Sequence, residues 1–176
     1  TEEITVSGDV GLLKPYQAPG ILCNEKRLQN PGQISGFINT LDDQDGVLRR
    51  IPLLIAHEGR LYPSLALATL LRAKGIREIE IKEDVFGLSM NVAGTNAHLN
   101  RDGTILLHYP GPARKYPYIP AIDLLQGSVS PEMLEGKIVF IGSSAAGLYD
   151  FHHTIFDPHY PGVEILAVAA GNILDG

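Results

Sequence analysis

The spacing of hydrophobic and polar positions changes several times along the chain, and the changes mark its elements. Residues 1–35 carry little pattern: Pro15, Pro19 and Pro31 punctuate them, with a short apolar run at Gly20-Ile21-Leu22-Cys23. From Gly36 the pattern sharpens. Gly36-Phe37-Ile38-Asn39-Thr40 reads as a strand, Asp43-Gln44-Asp45-Gly46 as a turn, and the apolar, β-branched residues 47–56 as a second strand broken by Arg49 and Arg50. His57-Glu58-Gly59-Arg60 supplies another turn. Two turns flanking apolar runs predict a β-meander.

At Leu65 the period moves from two to about 3.6 residues. Leu65, Ala66, Leu67, Leu70 and Leu71 share one helical face, Ser64 stands where an N-cap belongs, and Gly75 is a natural stop. Arg72 and Lys74 suit the negative end of the helix dipole. Glu78-Ile79-Glu80-Ile81-Lys82 alternates as a half-buried strand does. Residues 91–100 and 104–109 flank the Asp102-Gly103 turn and predict a hairpin, which Pro110-Gly111-Pro112 ends. Short helices are predicted over 119–125 and from Ser130, where Pro131 takes the first helical position. Lys137-Ile138-Val139-Phe140-Ile141-Gly142 is apolar between a charge and a glycine, which predicts a fully buried central strand. A polar loop follows over 143–159, and Pro161-Gly162-Val163-Glu164 opens a last helix running through Leu174. This order of elements predicts an α/β fold: a mixed sheet with β-hairpins, covered by helices.

Composition narrows the classes of function. The 176 residues suffice for one domain, read as spanning 1–176. A hydrophobic share of 44% with 19% charged residues excludes a wholly disordered chain, and 12 prolines with 19 glycines argue against a helical bundle. A net charge of −6 repels phosphate backbones and acidic membrane surfaces, so nucleic acid is not an expected partner. Cys23 is the one cysteine, which excludes an intrachain disulfide and a paired-cysteine zinc site. No apolar stretch approaches the about 20 residues of a spanning helix, and Thr1-Glu2-Glu3 does not open a signal peptide. For a piece of a membrane protein, this pattern would put the anchors outside the chain.

Candidate chemistry concentrates in two loops. Residues 41–46 superficially resemble a calcium loop, but aligning Gly46 with its invariant glycine puts Leu41 and Pro52 at the first and last ligand positions, where neither can serve. The reading is a structural turn made by Asp43, Asp45 and Gly46, with Arg49 or Arg50 meeting one of the carboxylates. Gly142-Ser143-Ser144-Ala145-Ala146-Gly147 follows the expected strand. Its backbone N–H groups can face an anion, although it lacks the lysine of a P-loop and the spacing of a nucleophile elbow. A tight loop over a strand end is the competing reading. Ligands of α/β sheets favour the C-terminal ends of strands, so Gly142, Ser143, Ser144 and Asp150 are the candidate ligand-binding residues. Asp150, His152, His153, Asp157 and His159 form the densest group of possible metal ligands. Their spacing fits no zinc motif, so a solvated loop is the expectation, and no metal, cofactor or catalytic residue is assigned. His57 and His108 read as turn and strand residues, and Tyr116-Pro117-Tyr118 as either a pocket rim or turn packing.

The order of these motifs resembles a known family. Gly36-Phe37-Ile38-Asn39, then 43–53 (Asp43-Gln44-Asp45-Gly46 through Arg49-Arg50-Ile51-Pro52-Leu53), then Tyr62-Pro63-Ser64-Leu65-Ala66-Leu67 is similar to the second class of CHASE-type sensor domains, extracellular sensors associated with bacterial cyclases and histidine kinases. His108-Tyr109-Pro110-Gly111-Pro112, the run Gly136 to Ala145, Asp150, Thr154 and Pro161-Gly162-Val163-Glu164-Ile165 with Ala167 continue the likeness, as do Asn172, Leu174 and Gly176. Leu166 stands where the family commonly has histidine. The likeness runs from about Gly36 to Gly176, and the additional N-terminal α/β stretch of the family is not found. The resemblance implies an extracytoplasmic sensory domain of a transmembrane protein, anchored on both sides, with a cytoplasmic adenylate or guanylate cyclase or a kinase downstream. It implies an unidentified small-molecule or peptide ligand, a possible homodimer and no catalytic residue. The rival readings are a metal-assisted hydrolase using Asp150, His152, His153 and Asp157, and a ligand-free dimerisation module.

Overall fold

The computed structural model describes residues 4–25, 27, 34–143 and 150–176. In chain order the elements are β1 (Thr5–Gly8), β2 (Arg50–Pro52), β3 (Leu54–His57), β4 (Arg60–Pro63), α1 (Leu65–Lys74), β5 (Glu78–Asp84), β6 (Gly87–Val92), β7 (Thr95–Leu99), β8 (Thr104–Leu106), α2 (Ala121–Leu125), β9 (Phe151–His152), β10 (Tyr160–Pro161) and α3 (Gly162–Asp175). The main sheet has the order β1-β5-β6-β7, with β1 parallel to β5 and the other neighbours antiparallel. Three two-stranded pieces, β2 with β8, β3 with β4 and β9 with β10, complete a mixed α/β fold.

Local chemistry explains α1. The Leu67 N–H donates to the Ser64 hydroxyl at 3.3 Å, and Gly75 closes the helix in the left-handed region at φ 68°. Its buried face, Ala66, Leu67, Leu70 and Leu71, joins one core with Ile165, Val168, Ala169 and Ile173 of α3. Alternation explains the sheet. Ile79, Ile81, Leu88, Met90, Val92, Ala97 and Leu99 are buried, while Lys82 and His98, at alternating positions, are exposed. α3 packs against both α1 and β7, so its position is set by helix and sheet together.

Several expectations are corrected. Residues 137–142 form no strand, and Ile138, Val139 and Ile141 keep 37%, 54% and 89% of their surface exposed. Apolar composition does not provide a hydrogen-bonding neighbour, and among the described residues no strand pairs with this segment. Residues 36–40 make one bridge, Phe37 with Ser64, instead of a strand, so the meander reduces to the β3–β4 hairpin. Residues 91–100 are not continuous. They fold back at Ala93 and Gly94, both with positive φ, because the Asn91 side chain accepts from the Gly94 N–H at 3.2 Å. The Asp102-Gly103 turn exists, but β8 pairs with β2 and not with β7, because the Gly103 carbonyl accepts from Leu53 and Leu54. From Ser130 the chain makes one 3₁₀ turn, Pro131–Met133. No helix among the described residues is long and apolar enough to cross a membrane.

Candidate functional site

A cavity of about 180 Å³ lies at the N-terminal ends of α1 and α3. Ile51, Leu65, Ile165 and Leu166 give it an apolar lining, Ile38 and Thr40 form one wall, and Ile141 and Gly142 form another. Asp150 and His152 supply its charge and hydrogen-bonding capacity. A larger groove of about 630 Å³ lies over the polar face of the sheet, lined by Ser7, Arg77, Glu78, Glu80 and Asn91. It is shallow and open. The smaller cavity is where apolar walls and converging polar groups coincide, the combination small ligands use.

The backbone builds this cavity by close approach. β9 pairs with β10 through His152 opposite Tyr160, and the Gly162 N–H donates to the Asp150 carbonyl at 2.9 Å. The Asp150 carboxylate lies against Gly162, where an added Cβ would sit 2.7 Å from its Cγ. A carboxylate there also complements the positive end of α3. On the opposite wall a Cβ on Gly142 would sit 2.6 Å from the Val163 Cβ. The His152 imidazole lies between two carboxylates, Nδ1 at 3.9 Å from Asp42 and Nε2 at 3.9 Å from Asp150. Both separations exceed hydrogen-bond length, so these contacts become ion pairs when the ring is protonated.

A second polar constellation sits two residues along α3. Glu164 is 2% exposed, and its carboxylate accepts from the backbone N–H groups of Arg114 (2.7 Å), Lys115 (2.9 Å) and Tyr116 (3.4 Å) and from the Tyr118 hydroxyl (2.9 Å). Burial first, then the hydrogen bond to Glu164, raises the Tyr118 pKa well above the ordinary phenol value. Tyr160 is fully buried beside Tyr109, ring centroids 5.1 Å apart, and its hydroxyl has no hydrogen-bond partner among the described residues. Burial raises its pKa too, with the Glu164 charge adding to the effect.

The sequence-selected residues divide among three places. Gly142 and Asp150 line the cavity; Ser143 adjoins it in sequence without lining it. Ser144 lies outside the described residues, as does the rest of 144–149. Asp43, Asp45, Gly46 and Arg49 form a turn and are not among the residues that line the cavity. Arg49 donates to Asp43 at 2.9 Å and to Asp45 at 2.9 and 2.8 Å, Arg50 donates to Asp43 at 3.0 Å, and Gly46 has φ 75°. The Arg49 hydrogen bond holds the Asp45 pKa down at about 2 and lowers that of Asp43. His153 is exposed and its carbonyl accepts from Leu48, while the Asp157 carbonyl accepts from Thr154 and its carboxylate from the His159 N–H. Among the described residues no three His, Cys, Asp or Glu side chains converge on a metal position.

Sequence reasoning missed Glu164 as a ligand of the 114–118 segment and missed Ile38, Thr40, Leu65 and Val163 as cavity walls. One signal for Glu164 was present: it lies four residues before Val168, on the buried stripe of α3, where a charge demands partners. The walls had no comparable signal, since each reads as ordinary core.

The sequence model of the family described as CHASE2 domain matches residues 7–176. The match begins ahead of Gly36, where the motifs legible by eye begin. No curated protein matches the chain, and no solved structure does.

Proposed function

This chain belongs to the CHASE2 domain family, and from that membership we propose that it senses a small-molecule or peptide ligand for a bacterial transmembrane protein carrying a cyclase or a kinase. CHASE2 domains are extracytoplasmic sensory modules of signalling proteins, so the coarse role is sensing and not catalysis. The finer reading places the ligand in the cavity between α1 and α3 and the output in α3. One observation carries it: Gly162, Val163, Ile165 and Leu166, all from the first turns of α3, line that cavity. A molecule occupying it touches α3, the element to which this reading assigns the output. A ligand shifts a two-state equilibrium only through differential contact with the two states, and a helix forming the cavity wall gives it that contact.

The hydrolase alternative has less support: Asp150 and His152 meet in the cavity, but among the described residues no third His, Cys, Asp or Glu joins them as a metal site would need.

Asp150→Ala is the direct test. In the full-length parent with a transcriptional or second-messenger reporter, the variant is expected to change signal output, while the isolated chain keeps its thermal midpoint within about 2 °C because the side chain is half-exposed. Unchanged output at unchanged expression removes the cavity from the signalling route.

A further inference from the structure

The segment running from His108 to Tyr118 is fastened to α3 at two points. At the C-terminal end of the helix Asn172 makes a two-bond contact with the backbone of His108, accepting from its N–H at 2.8 Å and donating to its carbonyl at 3.1 Å. Two turns earlier the Glu164 carboxylate receives three consecutive amides and a hydroxyl. Consecutive N–H groups aimed at one point form an anion-binding concavity, which requires a left-handed residue among them. Arg114 supplies it at φ 68°, a backbone region that a non-glycine residue seldom enters.

The chemistry of this concavity is selective. Residues 108–120 contain Arg114 and Lys115 and no Asp or Glu, so the negative charge they hold comes from another element. The four donors divide between the two carboxylate oxygens: Arg114 and Tyr118 on one, Lys115 and Tyr116 on the other. That division fits a planar two-oxygen anion. The buried Tyr160 hydroxyl, which has no hydrogen-bond partner among the described residues, is not one of the four donors.

We propose that residues 114–118 are a carboxylate receptor and that Glu164 occupies it as a built-in ligand, which straps α3 against the 108–118 segment. A small carboxylate takes the receptor when Glu164 is withdrawn. This stands apart from the sensory role of the α1–α3 cavity, and its test needs neither a membrane nor an effector, so failure of either reading leaves the other intact.

Chemical rescue is the test, on the 176-residue chain. In Glu164→Ala the amides of Arg114, Lys115 and Tyr116 are expected to exchange with solvent about tenfold faster or more, since each loses a charged acceptor. Sodium acetate is then expected to restore their protection and raise the thermal midpoint along a saturating curve, while sodium chloride at equal ionic strength does neither. The parent chain, with its receptor filled, is expected not to respond to acetate. A folded Glu164→Ala chain with no acetate-specific protection overturns the proposal. If that variant does not fold in chloride buffer, refolding it in acetate decides the matter: recovery of native dichroism in acetate alone supports the receptor, and failure in both salts overturns it.

Discussion

Replacing Gly36 with alanine puts a methyl group where the chain leaves no room, and the geometry fixes the size of the effect. An added Cβ would meet the Leu65 Cα and lie 2.5 Å from both the Leu65 N and the Ser64 C. All three are backbone atoms at the capped start of α1, so no rotamer change relieves the contact. Carbon atoms prefer separations of about 3.5–4.0 Å, so the 36–37 segment must withdraw by about 1 Å. Two backbone bonds span that gap: the Phe37 N–H donates to Pro63 at 3.0 Å, and the Leu65 N–H donates to Phe37 at 2.7 Å. Withdrawal stretches both past useful length, while staying put keeps the clash. Overpacking costs about 1–3 kcal/mol and each lost bond about 1 kcal/mol, and because one is exchanged for the other the net loss is about 2 kcal/mol. For a chain of this size that lowers the thermal midpoint by about 4–8 °C. Gly11→Ala is the control, since nothing lies within 4 Å of its Cβ position; it is expected to be neutral or to gain about 0.5 kcal/mol by restricting the unfolded chain. Urea unfolding distinguishes the pair, with the Gly36→Ala midpoint falling at unchanged slope. If Gly36→Ala unfolds within about 0.5 kcal/mol of the parent, the contact between the 36–40 wall and α1 is not the tight one described, and the cavity wall formed by Ile38 and Thr40 loses its support.

Two further outcomes are expected. The Asp45 pKa is depressed from 3.8 to about 2, chiefly by its Arg49 hydrogen bond, so its stabilising contribution is full above the ordinary carboxylate value and is lost as pH falls through about 4 toward 2. Acid titration of stability is therefore expected to be shallower in that window for Asp45→Asn than for the parent, and superimposable curves refute the pairing. Tyr160→Phe removes a buried hydroxyl that has no partner among the described residues, so urea unfolding is expected to show unchanged or slightly greater stability. A loss of about 1 kcal/mol or more instead reveals a hydrogen bond at that oxygen.

Much of the fold follows from chemistry within a few residues. The α1 helix needs its own leucine stripe, Ser64 to cap it and Gly75 to stop it, all visible along the chain. The β3–β4 hairpin needs Glu58 and Gly59 in the left-handed region, and β5 needs its Glu-Ile alternation. The Asp43–Arg49 cluster spans seven residues. In the helix cap, the hairpin and the Asp43–Arg49 cluster the partners are close neighbours in sequence, so spacing alone determines who meets whom, whereas the pairing of β5 with β1 joins residues far apart in the chain.

Only the tertiary structure decided the rest. The apolar residues 137–142 meet the local conditions for a buried strand, yet a strand needs a hydrogen-bonding neighbour, and among the described residues none pairs with this segment. β8 joins β2 and not β7 because the Gly103 carbonyl is taken by Leu53 and Leu54, about fifty residues away. The cavity gathers Ile38, Ile51, Leu65, Gly142, Asp150 and Val163, and the amides that hold Glu164 lie 48–50 residues before it. Periodicity and capping act through hydrogen bonds a few residues long, whereas a cavity or a buried carboxylate is defined by which distant backbones come within 3 Å, and that is settled only when the helices and sheet pack.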